Sequence, residues 1–295
     1  MAAAFRGVFT ALITPMTSAE EVDHRTMAEL IDHLIKDGAV HGVVPLGSTG
    51  EFYGMTPEER EAVVKTTLEA AAGRVPVLVG ANAGSTREVI GYCRQAEQLG
   101  AAGVLLAAPY YSLPTQEELY EHFKAIDQAI GLPIMLYNYP HRTGVDMTSE
   151  LVERLAELPH VQYIKESTGD VSRISKIIRR CGEKITVFSG ADGIVLESFL
   201  LGAVGWVSGA ANFLAAPSVK LFELAVQKQD FPAARKHYYT LLPALSLLEG
   251  SGCYTQLVKA GCELMGRPVG PPRRPLLPAD AHLVKRLKQI LSNIC

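Results

Sequence analysis

What the chain has little of narrows its class first. Neither charge is in excess: 28 Lys and Arg against 31 Asp and Glu leave a formal net charge of -3. A nucleic-acid or anionic-membrane surface calls for a basic excess, so neither partner is expected. No apolar run reaches the length of a membrane span, and the opening Met1-Ala2-Ala3-Ala4-Phe5-Arg6 does not have the basic-then-apolar order of a secretory signal. The cytosol is therefore the expected, cytoplasmic location. Cysteine is sparse and unpatterned: Cys93, Cys181, Cys253, Cys262 and Cys295 are odd in number and show no CxxC spacing. Neither a disulfide framework nor a zinc site is suggested, which leaves free thiols. The eight histidines have no HExxH or similar ligand spacing, so no bound metal is implied.

What is present is a regular alternation. Short apolar or β-branched runs fall at Val8 to Ile13, Gly42 to Leu46, Val75 to Val79, Gly103 to Ala107, Ile134 to Tyr137, Val161 to Lys165, Ile185 to Ser189 and Val204 to Ser208. Between them lie stretches with apolar residues at helical spacing, such as Met27, Leu30, Ile31, Leu34 and Ile35, or Leu119, Phe123, Ile126 and Ile130. Thr56-Pro57-Glu58-Glu59 and Thr115-Gln116-Glu117-Glu118 carry a capping hydroxyl before first-turn acids, and Thr148-Ser149-Glu150 repeats the idea. Gly38, Gly73, Gly100 and Gly131 stand where helices should close in a left-handed residue.

Eight such units with nearly continuous apolar strands point to a parallel sheet covered on both faces. At 295 residues a closed α/β TIM barrel, (β/α)8, is favoured over an open doubly wound sheet. Helical patterns continue after the eighth strand, near Ser218 to Gln227, Phe231 to Leu248, Tyr254 to Met265 and Ala281 to Leu291. The expected organisation is a barrel over residues 1–225 carrying the site, and a C-terminal helical appendage over 226–295. The proline-rich Arg267 to Pro272 is expected to be an ordered connection, because apolar residues return beyond it.

A barrel builds its site at the carboxyl ends of its strands. The sixth run ends in Lys165, within Val161-Gln162-Tyr163-Ile164-Lys165-Glu166-Ser167-Thr168-Gly169-Asp170. An ammonium there is costly unless paired or deprotonated, and a deprotonated lysine is a nucleophile that condenses with ketones. Taken alone, those ten residues favour an ordinary strand-end lysine reaching into solvent, and the rest of the chain has to overturn that. Gly47-Ser48-Thr49-Gly50-Glu51 follows the second strand and suits a carboxylate or phosphate, although a plain turn into a helix explains it equally well. Pro109-Tyr110-Tyr111 follows the fourth strand, and Tyr137 to Gly144, with Arg142, follows the fifth. Hydroxyls, phenols, an arginine and a lysine thus converge on one rim.

These motifs carry a resemblance over essentially the whole chain. Gly47 to Glu51 matches a GxTGE loop, Tyr137 to Gly144 a YNxPxRTG segment, and Ile164 to Gly169 a lysine strand. The chain resembles the dihydrodipicolinate synthase and N-acetylneuraminate lyase family of Schiff-base enzymes. The resemblance implies that Lys165 forms the imine, that Tyr137 is the phenol over it, and that Ser48 and Tyr111 relay protons. Ser48 and Thr49, with Gly47, would hold a keto-acid carboxylate, and Gly190 and Val207 would contact substrate. Arg142 resembles the arginine with which the synthases hold the second substrate's carboxylate.

By the same resemblance, pyruvate and a small aldehyde are the substrates and no cofactor is needed. The working unit is a homo-oligomer, a dimer or tetramer, in which Tyr111 enters the partner's site. Three departures matter. Ser48 stands where most synthases have threonine. Gly250 to Lys259 lacks their Asn-Pro-Ile-Pro run. Pro57, Arg60 and Gly84 replace residues of the lysine feedback site found in some of them, so inhibition by lysine is not expected. A sialic-acid-type lyase, a lyase or dehydratase acting on another sugar acid, and a non-catalytic keto-acid-binding barrel remain as alternatives.

Overall fold

The computed structural model describes residues 5–294. Eight parallel strands run in the order β2-β1-β8-β7-β6-β5-β4-β3. They are β1 (Gly7–Ala11), β2 (Gly42–Val44), β3 (Leu78–Gly80), β4 (Gly103–Ala107), β5 (Ile134–Asn138), β6 (Val161–Glu166), β7 (Thr186–Ser189) and β8 (Gly205–Ser208). A parallel bridge between Val43 and Val77 joins the two ends of this order, with Val43 N–H donating to Pro76 O at 3.1 Å and Gly80 N–H to Pro45 O at 2.9 Å. The expected (β/α)8 barrel is the fold. β3 begins later than its apolar run, because Pro76 has no N–H to give to a ladder.

The strand pleat separates two cores. Phe9, Leu105, Met135, Tyr163 and Phe188 point into the lumen, while Val8, Val104, Leu136, Ile164 and Val187 point out toward the helices. Phe9 and Phe188 meet edge to face, with centroids 5.5 Å apart. Gly42 and Gly205 make room for them: an added Cβ would lie 2.2 Å from the Phe9 ring and 2.1 Å from the Phe188 ring. The lumen is therefore filled below the strand ends.

The outer layer contains α1 (His24–Lys36), α2 (Pro57–Ala71), α3 (Thr86–Leu99), α4 (Gln116–Asp127), a single turn α5 (Pro140–Thr143), α6 (Ser149–Leu155), α7 (Ser172–Cys181), α8 (Val195–Leu200) and α9 (Ala215–Phe222). Full capping boxes form at Thr56 with Glu59 and at Thr115 with Glu118. Gly73 and Gly100 take the expected left-handed conformation, at φ 69° and 89°. Gly38 and Gly131 do not, and answer to space instead. A Cβ at Gly38 would lie 2.5 Å from that of Ala215, and one at Gly131 would lie 3.1 Å from the Glu97 carboxylate.

Beyond a wider turn at Glu223–Gln227 come α10 (Phe231–Gly250), α11 (Tyr254–Leu264) and α12 (Ala281–Leu291). The segment between α11 and α12 is pinned to the barrel: Val269 is buried and its carbonyl accepts from Met16 N–H at 3.0 Å. Cys93, Cys181, Cys253 and Cys262 are unpaired, and Cys295 lies outside the described residues. Among the described residues, no helix is long and apolar enough to cross a membrane.

Candidate active site

Alternation along β6 turns Tyr163 and Lys165 into the lumen and Ile164 out of it. Tyr163 joins the aromatic floor with Phe5 and Phe188. Lys165 stands one step higher, 6% exposed, at the carboxyl end of the barrel. Register aligns it with Tyr137 on β5. Its Nζ lies 4.1 Å from the centroid of the Tyr137 ring. Burial draws the Lys165 pKa down to about 8, against the opposing pull of Asp192, Tyr139 and Glu249. Burial pushes the Tyr137 phenol up to about 12, opposed by Ser48 and the Arg142 charge. At neutral pH the site therefore contains an amine that loses its proton readily and a phenol that keeps its own.

Ser48 and Thr49 approach from the loop after β2. That loop is tightly wound: Leu46 and Glu51 take left-handed backbones at φ 58° and 60°, and Gly50 N–H donates to Gly47 O at 3.0 Å. Gly80 on β3 is required beside it, since a Cβ there would lie 2.1 Å from Leu46 O. Gly190, just past β7, is required for Lys165 itself. A Cβ at that position would lie 1.9 Å from Ser167 Oγ and 2.7 Å from Lys165 Cγ.

Two adjoining chambers share Ser48, Tyr137, Tyr139 and Arg142. The inner one, about 50 Å³, reaches Thr49, Lys165, Gly190, Val207, Glu249 and Tyr254. The outer one, about 310 Å³, is more apolar, with Phe52, Tyr53, Tyr110 and Leu276 on its walls. Arg142 is exposed at the mouth, on α5, and Tyr139 stacks on Tyr137 with centroids 5.7 Å apart. Serine, threonine and arginine side chains thus face the amine across a small polar space, an arrangement suited to an oxygen-rich ketone.

A sequence profile of the Dihydrodipicolinate synthetase family matches residues 4–294. The chain belongs to this family. It is 38% identical over 292 residues to the 4-hydroxy-tetrahydrodipicolinate synthase of Methanospirillum hungatei, covering 98% of this chain and 99% of that one. With the enzyme of the same name from Thermodesulfovibrio yellowstonii it shares 42% identity over 239 residues, 81% of each chain. The fold superimposes on the chloride-inhibited dihydrodipicolinate synthase of Acinetobacter baumannii, solved with pyruvate, at a TM-score of 0.93 and 34% identity over 99% of both chains.

Of the residues that resemblance to the family singled out, Lys165, Tyr137, Ser48, Thr49, Arg142, Gly190 and Val207 line the inner chamber, and Gly47 lies buried in the loop behind Ser48. Tyr111 does not join them. It is 97% exposed, with a left-handed backbone at φ 74°, and lines neither chamber. Tyr110 instead packs near Phe52 on the wall of the outer chamber. Arg60, one of the three departures expected from the sequence, is buried and stacks over Tyr92 at 3.6 Å from the ring centroid.

Three functional-looking groups have no place in the sequence reading. Asp192 is buried behind Lys165 and accepts from Trp206 Nε1 at 2.8 Å, from Ser208 Oγ at 3.1 Å and from the Tyr254 hydroxyl. Burial raises its carboxyl above the usual range. Glu249, at the end of α10, accepts the backbone N–H groups of Asp192 and Gly193 at 2.5 and 3.0 Å, and burial beside Asp192 pushes it up to about 7. Ser167 Oγ is buried beside Lys165 with no hydrogen-bond partner. Asp192 had a legible signal, three residues beyond the Ser189 that ends a barrel strand. Glu249 had none.

Proposed function

We propose that this chain condenses pyruvate with an aldehyde through a lysine Schiff base, as a 4-hydroxy-tetrahydrodipicolinate synthase does. The observation that carries the reading is Lys165 itself, buried, with its pKa drawn down to about 8, beside the Tyr137 ring. Its neutral amine attacks the ketone carbon of pyruvate, and the oxygen leaves as water after taking up protons. The phenol of Tyr137 is the proton donor, recharged through Ser48. The protonated imine acidifies the neighbouring methyl group, a proton departs, and the resulting enamine carbon bonds to the aldehyde. The imine is its own electron sink, so the chemistry needs no cofactor. Ser48 and Thr49 hold the keto-acid carboxylate, Gly47, Gly190 and Val207 shape the space around it, and Arg142 holds a carboxylate on the aldehyde.

Tyr111 fits this scheme as a residue donated to a second copy, which supports a homo-oligomer. Arg60, stacked where free lysine binds in some relatives, supports insensitivity to that amino acid. Glu249 and Tyr254 on the inner wall favour a second reading, a hydroxylated acceptor such as a sugar-acid aldehyde. The test is borohydride reduction in pyruvate, followed by mass analysis and an aldehyde panel. One reduced pyruvyl group on the peptide containing Lys165 is expected, with turnover best on aspartate semialdehyde. No adduct in the parent, or an equal adduct in Lys165→Ala, refutes the scheme, and turnover only with hydroxylated aldehydes selects the second reading.

A further inference from the structure

The loop Gly47 to Glu51 ends in a residue to which the proposed reaction assigns no role. Glu51 is 1% exposed and holds a left-handed backbone, separated from the Ser48 and Thr49 pair by Gly50 alone. Its Oε1 lies 2.7 Å from Nζ of Lys259 on α11, an ion-pair contact without well-directed hydrogen-bond geometry, and both side chains are buried. Its Oε2 accepts the backbone N–H of Arg273 at 2.7 Å. Lys259 also donates to Pro271 O at 2.8 Å, so the amine and the arm from Pro271 to Leu276 grip the same carboxylate.

Arg273 extends the grip outward. Its guanidinium takes both oxygens of Glu59 at 2.7 and 2.8 Å and donates to Gly54 O at 2.8 Å. Glu59 closes the capping box that starts α2, the helix following the loop. On the inner side, Thr14 Oγ1 donates to Gly50 O at 2.8 Å. The loop is thus tied on one flank to the barrel and on the other to the C-terminal arm, whose Leu276 walls the outer chamber. A buried ion pair contributes little net stability compared with apolar residues of the same size, so stability is a poor reason for this pair. Holding a strained backbone in one geometry is a better one.

We propose that Glu51 and Lys259, with Arg273, are positioning residues that fix the Ser48 and Thr49 loop for the keto-acid carboxylate, making carboxylate affinity depend on the C-terminal arm. This rests on the Schiff-base reading and deepens it. The two ideas separate in one assay, borohydride trapping on Lys165 with pyruvate and with acetone, a ketone that has no carboxylate.

Lys259→Met removes the cation at similar length. Loss of a hydrogen bond from the displaced loop to the keto-acid carboxylate is expected to raise the half-saturating pyruvate concentration by about tenfold to a hundredfold. Trapping of acetone at a fixed concentration is expected to stay at the parent's level. Arg273→Gln, which leaves the buried pair intact, is expected to give the same split more weakly and serves if Lys259→Met does not fold. Equal losses with both ketones would mean general damage to the barrel, and unchanged pyruvate saturation in folded variants would mean an inert pair; either overturns the proposal. If the parent traps neither ketone, the Schiff-base reading fails and takes this one with it.

Discussion

Replacing Lys165 with methionine should stabilise the protein, and the gain should depend on pH in a way that reports the lysine's environment. The ordinary lysine value of 10.5 falls to about 8 in the folded chain. That gap of roughly 2.5 pH units corresponds to about 3 kcal/mol at 1.36 kcal/mol per unit. The folded state disfavours the ammonium, so between pH 8 and 10.5 the unfolded chain binds more protons, and stability rises with pH across that window. Below about 8 the full penalty applies; above 10.5 none remains. A methionine side chain does not ionise and carries no such penalty in either state. The stability of Lys165→Met minus that of the parent is therefore expected to be largest near pH 8 and to shrink by about 3 kcal/mol on going to 10.5.

Urea unfolding of both proteins at several pH values in that range measures the difference directly. The same property appears in reactivity. At pH 7 the neutral fraction of such a lysine is roughly 300-fold that of an ordinary one, and trapping should rise about tenfold per pH unit until it levels near the lowered pKa. A stability difference that stays flat across the window, or a trapping rate that climbs steadily past pH 10, would show that Lys165 titrates as an ordinary lysine.

Arg142→Ala should weaken use of carboxylate-bearing aldehydes by about 2 kcal/mol or more, the scale of a charge-assisted hydrogen bond, while pyruvate trapping changes little. Steady-state kinetics on aldehydes with and without a carboxylate check this, and equal losses in both assays would make the arginine structural. Gly190→Ala forces its Cβ into Ser167 and Lys165, so a stability loss of about 1–3 kcal/mol is expected together with loss of trapping; normal trapping would show that the two side chains can move aside. Mixing Lys165→Ala with Tyr111→Phe subunits should restore part of the activity through hybrid sites. A fully active monomer by sedimentation, or no recovery despite proven subunit exchange, rules out the donated tyrosine.

The barrel was readable because parallel strands covered on both faces are almost continuously apolar, and Leu105 and Val104 both need burial although they face different cores. Strand ends were less so. The run from Val75 looks like a strand, yet Pro76 delays the ladder until Leu78. At the site, strand-end position offered Lys165, Tyr137 and Ser48 only as candidates and resemblance to the family gave them roles; register pairs Tyr137 with Lys165, and the loop after β2 brings Ser48 to them. Glu249 was not, because the pattern of α10 tells which face packs but not that a carboxylate at its end reaches back to the N–H groups of Asp192 and Gly193. Tyr111 was legible only as a residue of the fourth loop. Nothing in the residue types of that loop announces its 97% exposure.

The seam of the ring has a consequence for amide exchange. β2 and β3 have three residues each and meet through the Val43 and Val77 bridge, whereas β5 and β6 share a ladder from Ile134 to Asn138. Breathing of a closed sheet starts where the fewest bonds must break, so the amide protons of Val43 and Gly80 should exchange before those of β5 and β6. The loop carrying Ser48 leaves directly from β2. A carboxylate held there selects the closed ring over the opened one, and by mass action slows exchange at a seam it never touches.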